Sequence, residues 1–137
     1  MEQKRESKLI LIFTIVYLVV FTILAVIRKN YEFLYYTIII SKLIILIVWY
    51  HKKLHLSPII LGGLSLLGLM HVAGGNLYFN CVRLYDIYTF QDFIRYDQIV
   101  HTFGIFIATF VGYSLIKPYL DHRIKHHPVY YPLFSSA

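Results

Sequence analysis

The sequence predicts an all-α integral membrane protein, a single domain built as a bundle of four transmembrane helices. Of its 137 residues, 58% are hydrophobic and only 15% are charged. A soluble domain of this length cannot bury that much apolar surface, because small globules cover only part of their chain. Several apolar runs are close to the roughly 20 residues that a helix needs to cross a bilayer.

Four apolar runs define the predicted spans. They cover residues 9–27, 33–50, 58–73 and 98–116, and residues 117–137 form a predicted cytoplasmic tail. The first run is longer than the apolar core of a cleaved signal peptide, which has about 7–15 residues. We therefore interpret it as a retained span.

Local signals mark two of the helix ends. Ser57 is a good N-cap for the third helix, and Pro58 suits the first helical position. Lys117 and Pro118 predict that the fourth helix stops there, because proline cannot donate the next backbone hydrogen bond.

The basic residues predict the orientation of the chain. Eight lie on the side that holds the N-terminus and four on the other, a bias that predicts a cell-membrane protein with both termini in the cytoplasm. The eight are Lys4, Arg5, Lys8, Lys52, Lys53, Lys117, Arg123 and Lys125, and the four are Arg28, Lys29, Arg83 and Arg95. The net charge is +6, but the basic residues lie between the apolar runs and not on one amphipathic face. They therefore do not indicate nucleic-acid binding.

The segment Gly74–Asp97 is the largest feature predicted on the outer side. It is rich in aromatic residues, which favour the level of the lipid headgroups. These are Tyr78, Phe79, Tyr85, Tyr88, Phe90, Phe93 and Tyr96. The segment either lies at the outer interface or packs across the helix ends. Its Cys81 is the only cysteine, so an intramolecular disulfide is excluded.

Two stripes of small and polar residues follow helical spacing. The fourth span carries Asp97, His101, Gly104, Ala108 and Gly112, and the third carries Leu64, Gly68, His71 and Gly75. Small residues let membrane helices approach closely. If the stripes pack together, both histidines lie at one level of the membrane. Asp97 then lies just above them, four residues from His101 on the same helix face.

Three hypotheses follow for His71, Asp97 and His101. They form hydrogen bonds between helices, they build a pocket for protons or a small or lipidic ligand, or they bind a divalent metal. Zinc takes three or four N, S or O ligands, and two histidines with a carboxylate also suit iron. Asp86 and Cys81 are further candidate ligands.

The second half of the chain resembles the YjdF-type family, small bacterial inner-membrane proteins with a domain of unknown function. The motifs are H-x-x-G-G, Y-D, and R-Y-D-x-x-x-H-x-x-G. The matching residues are His71, Gly74, Gly75, Tyr85, Asp86, Arg95, Tyr96, Asp97, His101 and Gly104. The resemblance implies a multi-pass membrane protein without an established activity. It also implies an acidic residue further along the last helix, yet residues 105–116 contain none.

A second set of histidines lies on the predicted cytoplasmic side. His51 and His55 are four residues apart, as are His122 and His126, with His127 adjacent. The spacing resembles the histidine boxes of membrane desaturases and hydroxylases. Such di-iron sites need about eight histidines, and the interleaved basic residues instead favour binding of anionic lipid headgroups.

Lys42 lies near the middle of the second predicted span. It is about 12 Å from the end of that span at 1.5 Å per residue, farther than a lysine can snorkel. An ionisable residue at this depth suggests a function by default. Lys42 either lines a polar cavity, binds a lipid phosphate, or bonds to a hydroxyl of a neighbouring helix.

Three functions are thus open. The first is a membrane protein that binds an ion, proton or lipidic ligand in a pocket of His71, Asp97 and His101, with Lys42 nearby. The second is a metal-dependent membrane enzyme acting on lipid. The third is a structural or assembly subunit, in which the polar residues only fix helix packing. Gly68, Ala108 and Gly112 are predicted to serve helix packing. The predicted partner is the bilayer, and homo-oligomerisation is a further hypothesis.

Overall fold

The computed structural model describes the backbone of residues 2–54 and 56–126 and the side chains of residues 2–50 and 56–123. Its four helices are α1 Glu2–Ile27, α2 Tyr31–Leu54, α3 Pro58–Asn76 and α4 Tyr96–His126. Each contains a stretch that is long and apolar enough to cross a membrane. The predicted bundle of four membrane-length helices is confirmed.

The two predicted helix ends have different outcomes. Ser57 caps α3, since its hydroxyl oxygen accepts a hydrogen bond from the backbone N–H of Ile60 at 3.3 Å. The predicted stop of α4 at Lys117–Pro118 was wrong, because the helix continues to His126. Proline removes only its own backbone donor, and a long membrane helix tolerates that loss when the neighbouring turns keep their bonds.

Helix α3 lies at the centre and contacts the other three helices. The core joins Tyr17 and Leu18 of α1 to Val72 of α3. The Tyr17 hydroxyl donates to the Ser65 carbonyl oxygen at 2.7 Å, and the Ser65 hydroxyl lies 2.6 Å from that of Thr14. These bonds fasten α1 to α3 inside the apolar layer, where water cannot compete for them.

The glycines of α3 face three different helices. A Cβ on Gly68 would lie 2.6 Å from the Tyr17 hydroxyl of α1, and one on Gly75 would overlap the Phe33 ring of α2. Two glycines outside the predicted stripe approach α4 instead: a Cβ on Gly63 would lie 2.5 Å from Ile107, and one on Gly74 would lie 2.8 Å from the Tyr96 ring. The predicted packing of the two small-residue stripes against each other was therefore wrong. A central helix presents a different side to each of its three neighbours. A stripe of small residues does not show which neighbour each side meets.

The α4 stripe packs loosely within the described chain. A Cβ on Gly104 would make only an ordinary contact with Leu67, at 3.6 Å. Gly112 has no described atom within 4 Å of that position, and Ala108 is exposed. The helix-packing role predicted for Ala108 and Gly112 has no support in these contacts.

Two small hairpins lie between α3 and α4 and depart from the all-α prediction. Strand β1 (Tyr78–Phe79) pairs with β2 (Val82–Arg83), and β3 (Tyr88–Thr89) pairs with β4 (Ile94–Arg95), both antiparallel. Between them, the 3-10 helix Leu84–Asp86 contacts α3 and α4. Two-residue strands are too short to produce a periodic signal. We call this end of the bundle the hairpin side.

Candidate functional site

His71 lies near the C-terminal end of α3, on the hairpin side. Its Nδ1 shares a hydrogen bond with the hydroxyl of Tyr85, which belongs to the 3-10 helix between the hairpins. The resemblance points to Tyr85 only as a motif residue, whereas the fold makes it the direct partner of the histidine. The segment after α3 thus turns back and inserts one side chain into the bundle.

Aromatic rings surround the imidazole of His71. The ring centroids lie 5.3 Å away for Tyr36, 5.6 Å for Tyr85 and 5.8 Å for Phe33. The Tyr36 and Tyr85 rings stand nearly edge-on to the imidazole, a favourable arrangement for aromatic pairs. We call Phe33, Tyr36 and Tyr85 the aromatic cage. It limits the access of water to Nδ1 and holds the ring orientation.

Gly74 and Gly75 make the aromatic cage possible. A Cβ on Gly74 would lie 2.8 Å from the Tyr96 ring and 3.1 Å from the Tyr85 ring. Gly75 approaches the Phe33 ring more closely still. The two glycines of the H-x-x-G-G motif therefore let rings from α2, α4 and the 3-10 helix reach the α3 backbone. Tyr96 in turn donates its hydroxyl to the Met70 carbonyl oxygen at 2.9 Å.

Three polar residues hold the end of α3. Arg28 donates to the Asn76 carbonyl oxygen, and Asn30 Nδ2 donates to the Gly75 carbonyl oxygen at 2.9 Å. Asn76 is completely buried and donates its side-chain amide to the Val72 carbonyl oxygen at 2.9 Å. Periodicity assigns no role to Asn30 or Asn76. The available signal was the polar "RKN" and "GGN" that directly follow two apolar runs.

Asp97 pairs with Arg95, and no hydrogen bond joins it to His101 in the part of the chain that the structure describes. Its Oδ2 lies 3.5 Å from the Arg95 guanidinium, while its Oδ1 is buried without a hydrogen-bond partner among the described residues. The predicted orientation of His101 by Asp97 is thus not seen. The Arg95 guanidinium is always charged, whereas an imidazole is not, so the Asp97 carboxylate pairs with Arg95.

The environment of Tyr85 keeps its hydroxyl neutral. Burial raises the pKa of Tyr85 above its ordinary value, and the nearby Tyr96, Asp97 and Tyr36 raise that pKa further. A neutral hydroxyl can donate to Nδ1 of His71, in which case the proton of a neutral imidazole resides on Nε2. The pair therefore favours one tautomer of His71.

Stability at alkaline pH should depend on Tyr85. In the unfolded chain this tyrosine ionises near pH 10, whereas the folded protein retains the proton to higher pH. The resulting stabilisation is complete below about pH 10 and is lost as the pH rises through the folded pKa. We expect the unfolding midpoint in detergent to fall less steeply above pH 10 for Tyr85→Phe than for wild type. The exposed Tyr88→Phe is the control, and equal slopes for all three proteins would contradict the assignment.

A cavity of about 730 Å³ runs between the four helices and is lined by some of the predicted site residues, though not by Asp97 or Lys42. His71 and His101 line its hairpin end, and Ser7 and Lys8 line the opposite end. Gly68, Gly104 and Ala108 line the wall between them. Both histidines thus line one cavity, and their joint role as a functional site stays a prediction.

The family model described as "Predicted membrane protein (DUF2238)" matches residues 9–135. The chain belongs to this family. The match confirms the resemblance to the YjdF-type proteins, whose domain has no known function. No curated protein and no solved structure matches the chain.

Other predicted residues of this DUF2238 chain lie away from the cavity. Lys42 is exposed on α2, Asp86 is exposed at the end of the 3-10 helix, and Cys81 is exposed in the first hairpin turn. Among the described residues, no three His, Cys, Asp or Glu side chains come together as a metal site. A metal held by His71, Asp97 and His101 stays a prediction that these contacts do not support.

The histidines predicted on the other side fall mostly outside this description. His55 and His127 lie outside the described residues, as do the side chains of His51 and His126. His122 is exposed on α4. The histidine-box hypothesis for this family member therefore stays a prediction.

Proposed function

We propose that this membrane protein binds a lipid-like ligand inside the four-helix cavity. The apolar body of the ligand would lie between the helices, and its polar end beside His71 and His101. The observation that carries the proposal is the cavity of about 730 Å³. Its volume is typical of ligand pockets, which span roughly 300–1,000 Å³.

The cavity walls suit an aliphatic chain. Lining residues extend from Leu61 to His71 along α3, which is about 15 Å at the helical rise. Most residues of the whole cavity lining are Ile, Leu or Val. Each methylene of a ligand buried among them would contribute about 0.8 kcal/mol. The hydroxyls of Thr14, Tyr17 and Ser65 are engaged with one another or with the backbone, so they do not require polar ligand atoms.

The hairpin end suits the polar end of the ligand. His71 and His101 both line it, and a neutral imidazole offers one donor and one acceptor. The aromatic cage reduces competition from water at His71. Lys8 at the other end is exposed in the first turns of α1, where a long side chain can extend to the interface.

Filling the cavity should prevent binding. Ala108 lines the cavity, so the ring of Ala108→Phe would occupy the proposed ligand volume. Vesicles that contain the protein and a photoactivatable diazirine fatty acid would be irradiated, and the labelled residues mapped by mass spectrometry. We expect labelling of cavity residues to fall about tenfold in this variant. Labelling of lipid-facing residues should not change and serves as the internal standard.

Thr109→Phe is the matched control, because Thr109 is exposed and does not line the cavity. It should label like wild type. If Ala108→Phe also labels like wild type, the cavity is a packing gap, and a structural role for the polar residues becomes the better hypothesis. His101→Leu should reduce labelling by the fatty acid more than labelling by its methyl ester.

We also infer that both termini face the cytoplasm, as the eight-to-four distribution of basic residues predicts. Cys81 is the only cysteine and is exposed on the hairpin side. A membrane-impermeant maleimide added to intact cells should therefore label Cys81 without permeabilisation. Labelling only after permeabilisation would reverse the assigned orientation.

A further inference from the structure

Lys42 lies on the lipid-facing surface of the bundle, near the middle of the second span. It is exposed on α2, about 12 Å from Tyr50 and about 16 Å from Tyr31 along the helix. The flexible stem cannot carry the ammonium group over that distance to either interface. A lipid-facing charge at this depth is unfavourable, so such residues nearly always have a partner.

The described part of the chain shows no acidic partner for Lys42. Lys42 forms no ion pair within residues 2–50 and 56–123, where the ion pairs are Arg83–Glu32 and Arg95–Asp97. The acidic residues of the sequence are Glu2, Glu6, Glu32, Asp86, Asp92, Asp97 and Asp121. All of them lie near helix ends or in the hairpin segment. A second copy of the chain therefore brings no carboxylate to this depth either.

A groove lies beside Lys42 on the same side of the bundle. It runs between α1 and α2, encloses about 1100 Å³, and is lined by residues that include Ile15, Val19, Ser41 and Ile45. Ser41 precedes Lys42 in sequence, and Ile45 lies one turn further on the same face of α2. The surface thus combines an apolar groove with a single positive charge at its edge.

We propose that this surface binds a transmembrane helix of a different protein, which presents an Asp or Glu side chain to Lys42. The groove would receive the apolar side chains of that helix. Lipid headgroups do not fulfil the same role, because their phosphates lie at the interface, beyond the reach of Lys42. The counter-charge to Lys42 must be a carboxylate at mid-membrane depth. Only a helix that spans the bilayer carries a side chain there.

A synthetic helix tests the proposal in vesicles. The full-length protein would carry a donor fluorophore on Cys81, and an apolar transmembrane peptide with one central Glu would carry the acceptor. Peptides with Gln or Leu at the same position are the comparisons. We expect the Glu peptide to associate about tenfold more tightly than the Leu peptide, as measured by energy transfer. The Gln peptide should be clearly weaker than the Glu peptide.

Variants of the protein assign the effect to Lys42. Lys42→Leu should abolish the preference for the Glu peptide and Lys42→Arg should keep it. Lys117→Leu, at an exposed position of α4, is the matched control and should also keep it. Equal association of the three peptides, or an unchanged preference in Lys42→Leu, would overturn the proposal. So would loss of folding in Lys42→Leu, since it would place the partner of the lysine within the chain.

Discussion

Gly75→Ala is expected to destabilise the bundle by roughly 1–3 kcal/mol or more, the cost of overfilling a packed core. A Cβ at this position would overlap Cε1 of Phe33. The Phe33 side chain is only 3% exposed and packs against His71 and Tyr85, so the ring has little room to turn away. The Gly75 carbonyl is held by Asn30, which limits movement of the helix. The free energy of unfolding in detergent would measure the effect.

Gly112→Ala is the matched control for Gly75→Ala. Both glycines are helical, but a Cβ at Gly112 meets no described atom within 4 Å. This variant should be neutral or more stable by up to about 1 kcal/mol, because alanine favours the helix. The double variant Gly75→Ala/Phe33→Leu should recover part of the loss, since the smaller side chain relieves the overlap. A Gly75→Ala protein as stable as wild type would refute the close approach of α2 and α3.

Tyr85→Ala should cost about 3 kcal/mol, near the range for removing a large aromatic side chain from a core. The Tyr85 ring contacts Phe33, His71 and Tyr96, and its removal opens a gap in the aromatic cage. The contacts between the 3-10 helix and α3 should weaken with it. Hydrogen exchange of residues 77–95 would report that loosening, and thermal unfolding in detergent would report the stability.

Two further variants separate the ring from the hydroxyl. Tyr85→Phe keeps the ring and loses only the hydrogen bond to His71, so we expect a cost of about 1 kcal/mol. Tyr88 is 53% exposed on β3, and Tyr88→Ala should change stability by less than about 0.5 kcal/mol. If Tyr88→Ala and Tyr85→Ala behave alike, the hairpin segment does not close the bundle through Tyr85.

The four helices could be predicted because a membrane span is a property of one segment. Length and hydrophobicity decide whether a run such as residues 9–27 can cross a bilayer, whatever its neighbours are. The N-cap at Ser57 is equally local, since it depends on one side chain and the first turn of α3. Pro118 misled the prediction, because its local effect is smaller than the stability of a long continuous helix.

The candidate site was predicted only in part. His71 and His101 line one cavity, but Asp97 pairs with Arg95 and not with His101, and the direct partner of His71 is Tyr85. Spacing along a single helix pairs Asp97 with His101. The observed contact joins His71 to Tyr85. These two residues meet only because the hairpin segment turns back onto α3. No periodic pattern describes that return, because its strands have two residues each.

Four membrane-length helices follow from the sequence alone, because hydrophobicity and segment length act locally along the chain. The sequence also predicts a lysine at mid-membrane depth and histidines near one side of the bilayer. The packed bundle was needed to show which helix each small residue faces, which side chain binds His71, and that Lys42 does not line the cavity. These contacts depend on how the four helices rotate and pack against one another. Each side of α3 approaches a neighbour closely only where the opposing side chains fit.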